Sequence, residues 1–179
     1  SSDLTAAELY AEYPAGSYLV DVEAERWQVP MILERIKAIC THRKPHICRV
    51  ERKSTGVAVI QQLRADATFR IPIEAIVPPP SLDKVTRFAA ETPAMKSGRL
   101  WLPAKAHPKC TRWQAKFEGQ IFSFPACALK DQMDALSQYL SYLRRNPTPA
   151  SRSAHGADGE WHRVLEQAGK GYTDDIEVF

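Results

Sequence analysis

The chain has little from which to build a metal-thiolate or disulfide framework. Its four cysteines, Cys40, Cys48, Cys110 and Cys127, include no CxxC pair, and two fall in apolar runs that read as core. That pattern argues against a zinc ribbon or a disulfide scaffold and for reduced thiols. No apolar run approaches the roughly 20 residues a membrane span needs, and the first residues do not resemble a signal peptide. The expectation is a soluble protein without a membrane partner. An excess of one charge is also missing. With 24 basic and 21 acidic residues the formal net charge is +3, which neither requires nor excludes a nucleic-acid partner. A phosphate-binding loop of the form GxxxxGK[ST] is absent, and Gly169-Lys170-Gly171 is too short a match to bind nucleotide.

What is present is an alternation of strand and helix signals. At 179 residues, 44% hydrophobic and 25% charged, the chain can bury one sizeable core. Leu4 to Tyr13 reads as a strand or a short helix. Pro14-Ala15-Gly16 marks a turn and Tyr18 to Val22 a strand, so a hairpin is the simplest interpretation. Pro30 opens a helix whose apolar positions Ile32, Leu33, Ile36 and Ile39 recur through Cys40. Ile47 to Val50 has the length and apolarity of an interior strand, and Ser54 or Thr55 is placed to cap a helix running to about Arg64. A strand at Ile71 to Val77 follows, then helical sequence from near Asp83 interrupted by Pro93, a short strand at Arg99 to Leu102, and a helix from Thr111 through Phe117. Lys130 to Leu143 is the last helix, with Met133, Leu136, Leu140 and Leu143 on one face. From Asn146 the composition turns to Pro, Ser and Gly. The expected organisation is an α/β domain over residues 1–145 and a linker and tail over 146–179.

Two acidic stretches about eighty residues apart carry the chemistry. Glu51 stands at the C-terminal end of the interior strand, where open α/β sheets bind ligands, although it reads equally well as a solvated residue beside Arg52 and Lys53. Asp131 and Asp134, three apart, share one helix face. Alone they are explained by the helix dipole. Together with Glu51 they form an oxygen-donor set suited to hard divalent cations. Two-ion phosphodiester hydrolysis needs such carboxylates to hold two Mg²⁺ or Mn²⁺ ions about 3.5 to 4 Å apart, one activating water and one stabilising the leaving oxygen.

Four segments in order, Glu51 to Gly56, Asp83 to Arg87, Ser97 to Pro103 and Asp131 to Ser137, resemble the C-terminal nuclease domain of the large terminase subunit of tailed bacteriophages. The resemblance runs from about Ser2 to Arg145. It implies an RNase H-like fold, a central mixed sheet flanked by helices, and an endonuclease that cuts concatemeric double-stranded viral DNA in the host bacterial cytoplasm. It implies Glu51, Asp131 and Asp134 as catalytic metal ligands, two Mg²⁺ or Mn²⁺ ions, and the portal protein and small terminase subunit as partners. A further Asp on the family's first strand is expected upstream of residue 1, with Asp3 and Asp21 as poor substitutes for it and Asp21 read as structural at its strand's edge. Basic residues in or beside these segments, Lys53, Lys84, Arg87, Arg99 and Lys130, are the candidates for phosphate contact. The family's packaging ATPase would have to lie in another region. Two alternatives stay open. One is a different RNase H-like nuclease, a resolvase or exonuclease; the other is a non-catalytic module that docks DNA or the portal through an incomplete metal site.

Overall fold

In the computed structural model the described residues are 4–13, 16–77, 83–103, 112–127, 131–146 and 176–178. The hairpin is formed by β1 (Thr5–Tyr13) and β2 (Gly16–Glu25), paired antiparallel along their length with a bulge between Leu9 and Tyr10. Of the two readings of Leu4 to Tyr13, the strand is therefore the one adopted. Helix α1 (Val29–Arg43) begins with Pro30 in its first turn, where a missing N–H costs nothing. It ends at Lys44 in the left-handed conformation. Then come β3 (Ile47–Glu51), α2 (Thr55–Ala65) and β4 (Ile73–Ile76), with β4 parallel to β3. A strand, helix and parallel strand in succession form the usual crossover unit. After α3 (Lys84–Lys96), the two-residue β5 (Leu100–Trp101) pairs parallel to β2, and α4 (Gln114–Ser123) and α5 (Asp131–Arg145) complete the helices.

The last described strand, β6 (Ile176–Val178), lies inside the sheet rather than beyond it. The strand order is β4-β3-β6-β1-β2-β5. β6 runs parallel to β3 and antiparallel to β1, pairing with Ile47 and Cys48 on one side and with Leu9 to Ala11 on the other. Three residues of the stretch read as linker and tail thus hold the middle of the sheet. Its short length gave no strand periodicity to detect, and the patch near Trp161 and the Gly169 to Gly171 segment lie outside the described residues.

Period-two alternation divides the side chains between two cores. Leu9 and Cys48 face α1 and α2, joining Ile32, Ile36, Cys40, Val59 and Leu63. Tyr10, Leu19 and Val22 face the other way, onto Phe88 of α3, Trp113 and Phe117 of α4, and Met133, Leu136, Tyr139 and Leu140 of α5. Tyr10 stacks on Tyr139 with ring centroids 3.5 Å apart. The mixed sheet flanked by helices bears out the expected α/β architecture.

Two local expectations are corrected. Helix α3 continues through Pro93 to Lys96; the proline lies in the last turn, where Ser97 N–H still reaches the Pro93 carbonyl. The N-cap position of α2 is Ser54, but no side-chain cap is made because its backbone is in an unusual conformation with φ of 48°. The Thr111 cap falls outside the described residues, while α4 extends past Phe117 to Ser123. Cys40, Cys48 and Cys127 are free thiols, and no described helix is long and apolar enough to cross a membrane.

Candidate active site

The alternation that sends Cys48 and Val50 toward α1 and α2 sends Arg49 and Glu51 toward α5. Arg49 is nearly fully buried. It pairs with Glu74 on β4 at 2.7 Å, and its guanidinium lies 3.6 Å above the Tyr142 ring. Two residues on, Glu51 Oε2 accepts a hydrogen bond from Gln138 Nε2 at 3.1 Å. Strand β3 and helix α5 are therefore joined by side chains that place the end of β3 against the middle of α5.

The turn after Glu51 explains the glycine in the Glu51 to Gly56 segment. A Cβ at Gly56 would come within 1.9 Å of the Glu51 carbonyl oxygen. Only glycine lets α2 begin this close to the strand end, and that approach fixes the backbone from which the Glu51 side chain departs.

Asp131 and Asp134 lie in the first turn of α5, where the helix dipole favours negative charge. Asp134 is buried and Asp131 partly so. Both are met by cations from α3, whose start is fixed by Asp83: its carboxylate accepts from the backbone N–H of Val85 and Thr86, and these bonds hold its pKa below the ordinary value. Lys84 Nζ lies 2.9 Å from Asp131 Oδ1 and 3.3 Å from Asp134 Oδ2. One helical turn on, an Arg87 Nη2 donates to Asp134 Oδ1 at 2.5 Å. Burial works to lower the Lys84 pKa, but its contacts with Asp131 and Asp134 outweigh it and hold the ammonium above its usual range.

These groups meet at one cavity of about 210 Å³. Its lining includes Glu51, Lys53, Lys84, Asp131, Asp134 and Gln138, and on the opposite side the start of β1 from Leu4 to Ala7. β6 pairs with β1 only at Leu9 to Ala11, so the cavity opens just past the end of this short strand, between β1 and β3. Three of the acids and two of the basic residues singled out in the sequence are thus brought together. Arg87 stands behind Asp134. Arg99 lies beside β5 at the far edge of the sheet, with its carbonyl accepting from Ser17 N–H. Asp21 lines a different cavity, with Glu23, Arg35 and Arg43. Asp3 and Lys130 fall outside the described residues.

Among the described residues no group of three or more His, Cys, Asp or Glu side chains is close enough to hold a metal ion. The donor chemistry nonetheless fits a hard cation. A single ammonium already touches oxygens of both aspartates, so it stands where a compact cation would be held by two carboxylates, with Glu51 facing the same space.

Two features were not read from the sequence. Gln138, one turn beyond Asp134, is the partner of Glu51; its i+4 spacing from Asp134 was the available signal. Glu8, on β1, is fully buried with Oε1 unpartnered among the described residues, and its Oε2 accepts from the Tyr10 hydroxyl. Burial pushes its pKa up to about 8, against the lowering effect of the Tyr10 bond. Its place among alanines and apolar residues was the clue.

A family model described as a terminase RNaseH-like domain matches residues 11–143. No curated protein matches the chain.

Proposed function

The chain belongs to the terminase RNaseH-like domain family, and we propose that it is the metal-dependent endonuclease domain of a phage terminase large subunit, cutting concatemeric double-stranded DNA during genome packaging. The observation that carries this reading is the convergence of Glu51 from a strand end and Asp131 and Asp134 from a helix start on one cavity that Lys53 also lines. The nuclease domain in this reading takes residues 1–145 together with the strand Ile176–Val178.

A divalent Mg²⁺ or Mn²⁺ ion, when bound, supplies Lewis-acid activation of water and neutralises charge building up at phosphorus. The chain's own residues do the rest. Asp134 and Glu51 would hold the cation and Asp131 would bind or orient it. Gln138 fixes the Glu51 carboxylate through its amide, and Arg87 fixes Asp134. Lys53, at the cavity wall, neutralises a backbone phosphate without reading base sequence. Contacts to backbone phosphate rather than to bases would give cutting with little sequence preference. The portal protein and the small terminase subunit are the partners this role requires, and the host bacterial cytoplasm is where it would be carried out.

The test is cleavage of linear duplex, supercoiled plasmid and four-way junction DNA in Mn²⁺, Mg²⁺ and EDTA, by the wild type and Asp131→Asn. Divalent-dependent cutting of plain duplex, reduced by the substitution, is expected. A strong preference for junctions or ends would favour a resolvase or exonuclease instead. Duplex binding without any metal-dependent cutting would favour a docking module.

A further inference from the structure

Lys84 and Arg87 both reach the aspartates of α5, but they are held differently. The Arg87 side chain is 12% exposed, and its Nε is buried without a partner among the described residues. It is locked behind Asp134. Lys84 is the first residue of α3, its side chain is 38% exposed, and its ammonium bridges Asp131 and Asp134 from the cavity side. A lysine is a point charge on a flexible stem, whereas arginine presents a rigid planar fork. One cation is therefore built to stay and the other is free to leave.

Charge balance points the same way. Among the four contacting side chains, two carboxylates face two cations, and the cluster is neutral. With Glu51 counted as the third carboxylate of the same cavity, a divalent cation added without loss of Lys84 would leave one surplus positive charge in a partly buried space, where like charges repel strongly. Withdrawal of Lys84 removes that surplus and leaves its ammonium to neutralise a phosphodiester group. The stem of Lys84 lines the cavity that Lys53 also lines, so the released ammonium stays within reach of the cavity mouth.

We propose that Lys84 is an exchangeable counter-ion. It occupies the aspartate pair until a divalent cation displaces it, and then turns to the cavity mouth to hold a nucleic-acid phosphate, while Arg87 keeps Asp134 in place. This rests on the metal-dependent reading above. Lys84 is in this sense a positioning residue that couples metal binding to phosphate binding.

The experiment is carried out on the full chain without DNA. Acetylation of individual lysines is followed by mass spectrometry in EDTA and in Mn²⁺, with Lys53 as the internal reference. Mn²⁺ binding is measured by calorimetry for the wild type, Lys84→Gln, Arg87→Gln and Asp134→Asn. The expected result is a severalfold rise in Lys84 acetylation on adding Mn²⁺, with Lys53 little changed. Lys84→Gln should bind Mn²⁺ roughly tenfold more tightly, because one competing unit charge is gone. Arg87→Gln should bind it no more tightly, since Asp134 loses its anchor. Mn²⁺ binding that is lost in Asp134→Asn but leaves Lys84 acetylation unchanged, with no gain in affinity in Lys84→Gln, would overturn the exchange and leave the metal site standing. Absence of any Mn²⁺ binding by the wild type would overturn the metal reading and the exchange with it.

Discussion

The two faces of the sheet differ in what they bury. Toward α1 and α2 the buried set is Leu9, Ile32, Ile36, Cys40, Cys48, Val59 and Leu63, with no charged side chain among them. Toward α3, α4 and α5 the apolar core is interrupted by Glu8, Arg49, Glu91, Gln114, Gln120, Gln132, Asp134 and Ser137, all buried, and by Glu51 and its partner Gln138. Burying polar groups is expensive unless each is paired, and here most are: Arg49 by Glu74 and Tyr142, Glu91 by Arg144, Asp134 by Arg87 and Lys84. One face buries apolar side chains and keeps its ion pairs, such as Lys37 with Asp66, at the surface. The other spends part of its packing on holding carboxylates at defined positions, which is the pattern expected where chemistry is done.

That contrast can be broken by substitution on either side. Asp134→Ala should have the largest effect, costing about 3 to 5 kcal/mol because it leaves Arg87 without its carboxylate in a nearly closed site. It should also abolish divalent-dependent cleavage. A urea melt and a plasmid assay check both. Leu63→Ala on the opposite face should cost a comparable or slightly smaller amount, about 2 to 5 kcal/mol, yet leave cleavage per folded molecule unchanged. If it lowered that rate as Asp134→Ala does, the division between the faces would be wrong.

Gly56→Ala sits at the junction of the two. Its Cβ would meet the Glu51 carbonyl oxygen at 1.9 Å, and the backbone shift that relieves the clash should cost about 1 to 3 kcal/mol. Because the shift displaces Glu51, cleavage should fall as well, by more than the loss of folded protein accounts for. Equal losses in stability and activity would mean that Gly56 serves packing alone.

The smallest effect concerns Glu8, the buried acid on the α5 side that the proposed chemistry does not use. Its folded pKa is pushed up to about 8 from an ordinary value of 4.5. Between those values the folded state keeps a proton that the unfolded chain has lost, so stability falls as pH rises from about 5 to 8 and levels off above. Glu8→Gln, which removes this titration, should gain about 1 to 2 kcal/mol at pH 8, less than the full linkage because its amide also needs partners. No gain should appear near pH 4. Denaturant melts across this range would show a flattened profile for the variant. An unchanged slope would place the titration elsewhere.

Much of this arrangement was legible in the sequence. The recurrence of Ile32, Ile36 and Ile39 marks α1, the short apolar run at Ile47 marks β3, and the spacing of Met133, Leu136 and Leu140 marks α5, because each is a local period imposed by burial. The pairing of Glu51 with Asp131 and Asp134 followed from a strand end and a helix start, two places where carboxylates meet ligands. The parts that were not legible depend on contacts between distant segments. Nothing local shows that Lys84 and Arg87 face Asp131 and Asp134 from α3, and as isolated cations they read as phosphate contacts. Nor does a three-residue strand near the end of the chain announce that it will sit between β1 and β3. Pro93 read as an interruption of helical sequence, but in the last turn of α3 it takes away little of the hydrogen-bond ladder.

The most direct measurement is an anomalous-scattering map of crystals grown with Mn²⁺. The account predicts a peak in the cavity between β3 and α5, about 2.0 to 2.3 Å from carboxylate oxygens of Asp131 and Asp134, with Glu51 facing it and the Lys84 ammonium moved off the aspartates. Mn²⁺ bound only outside this cavity, with Lys84 still bridging Asp131 and Asp134, would contradict it.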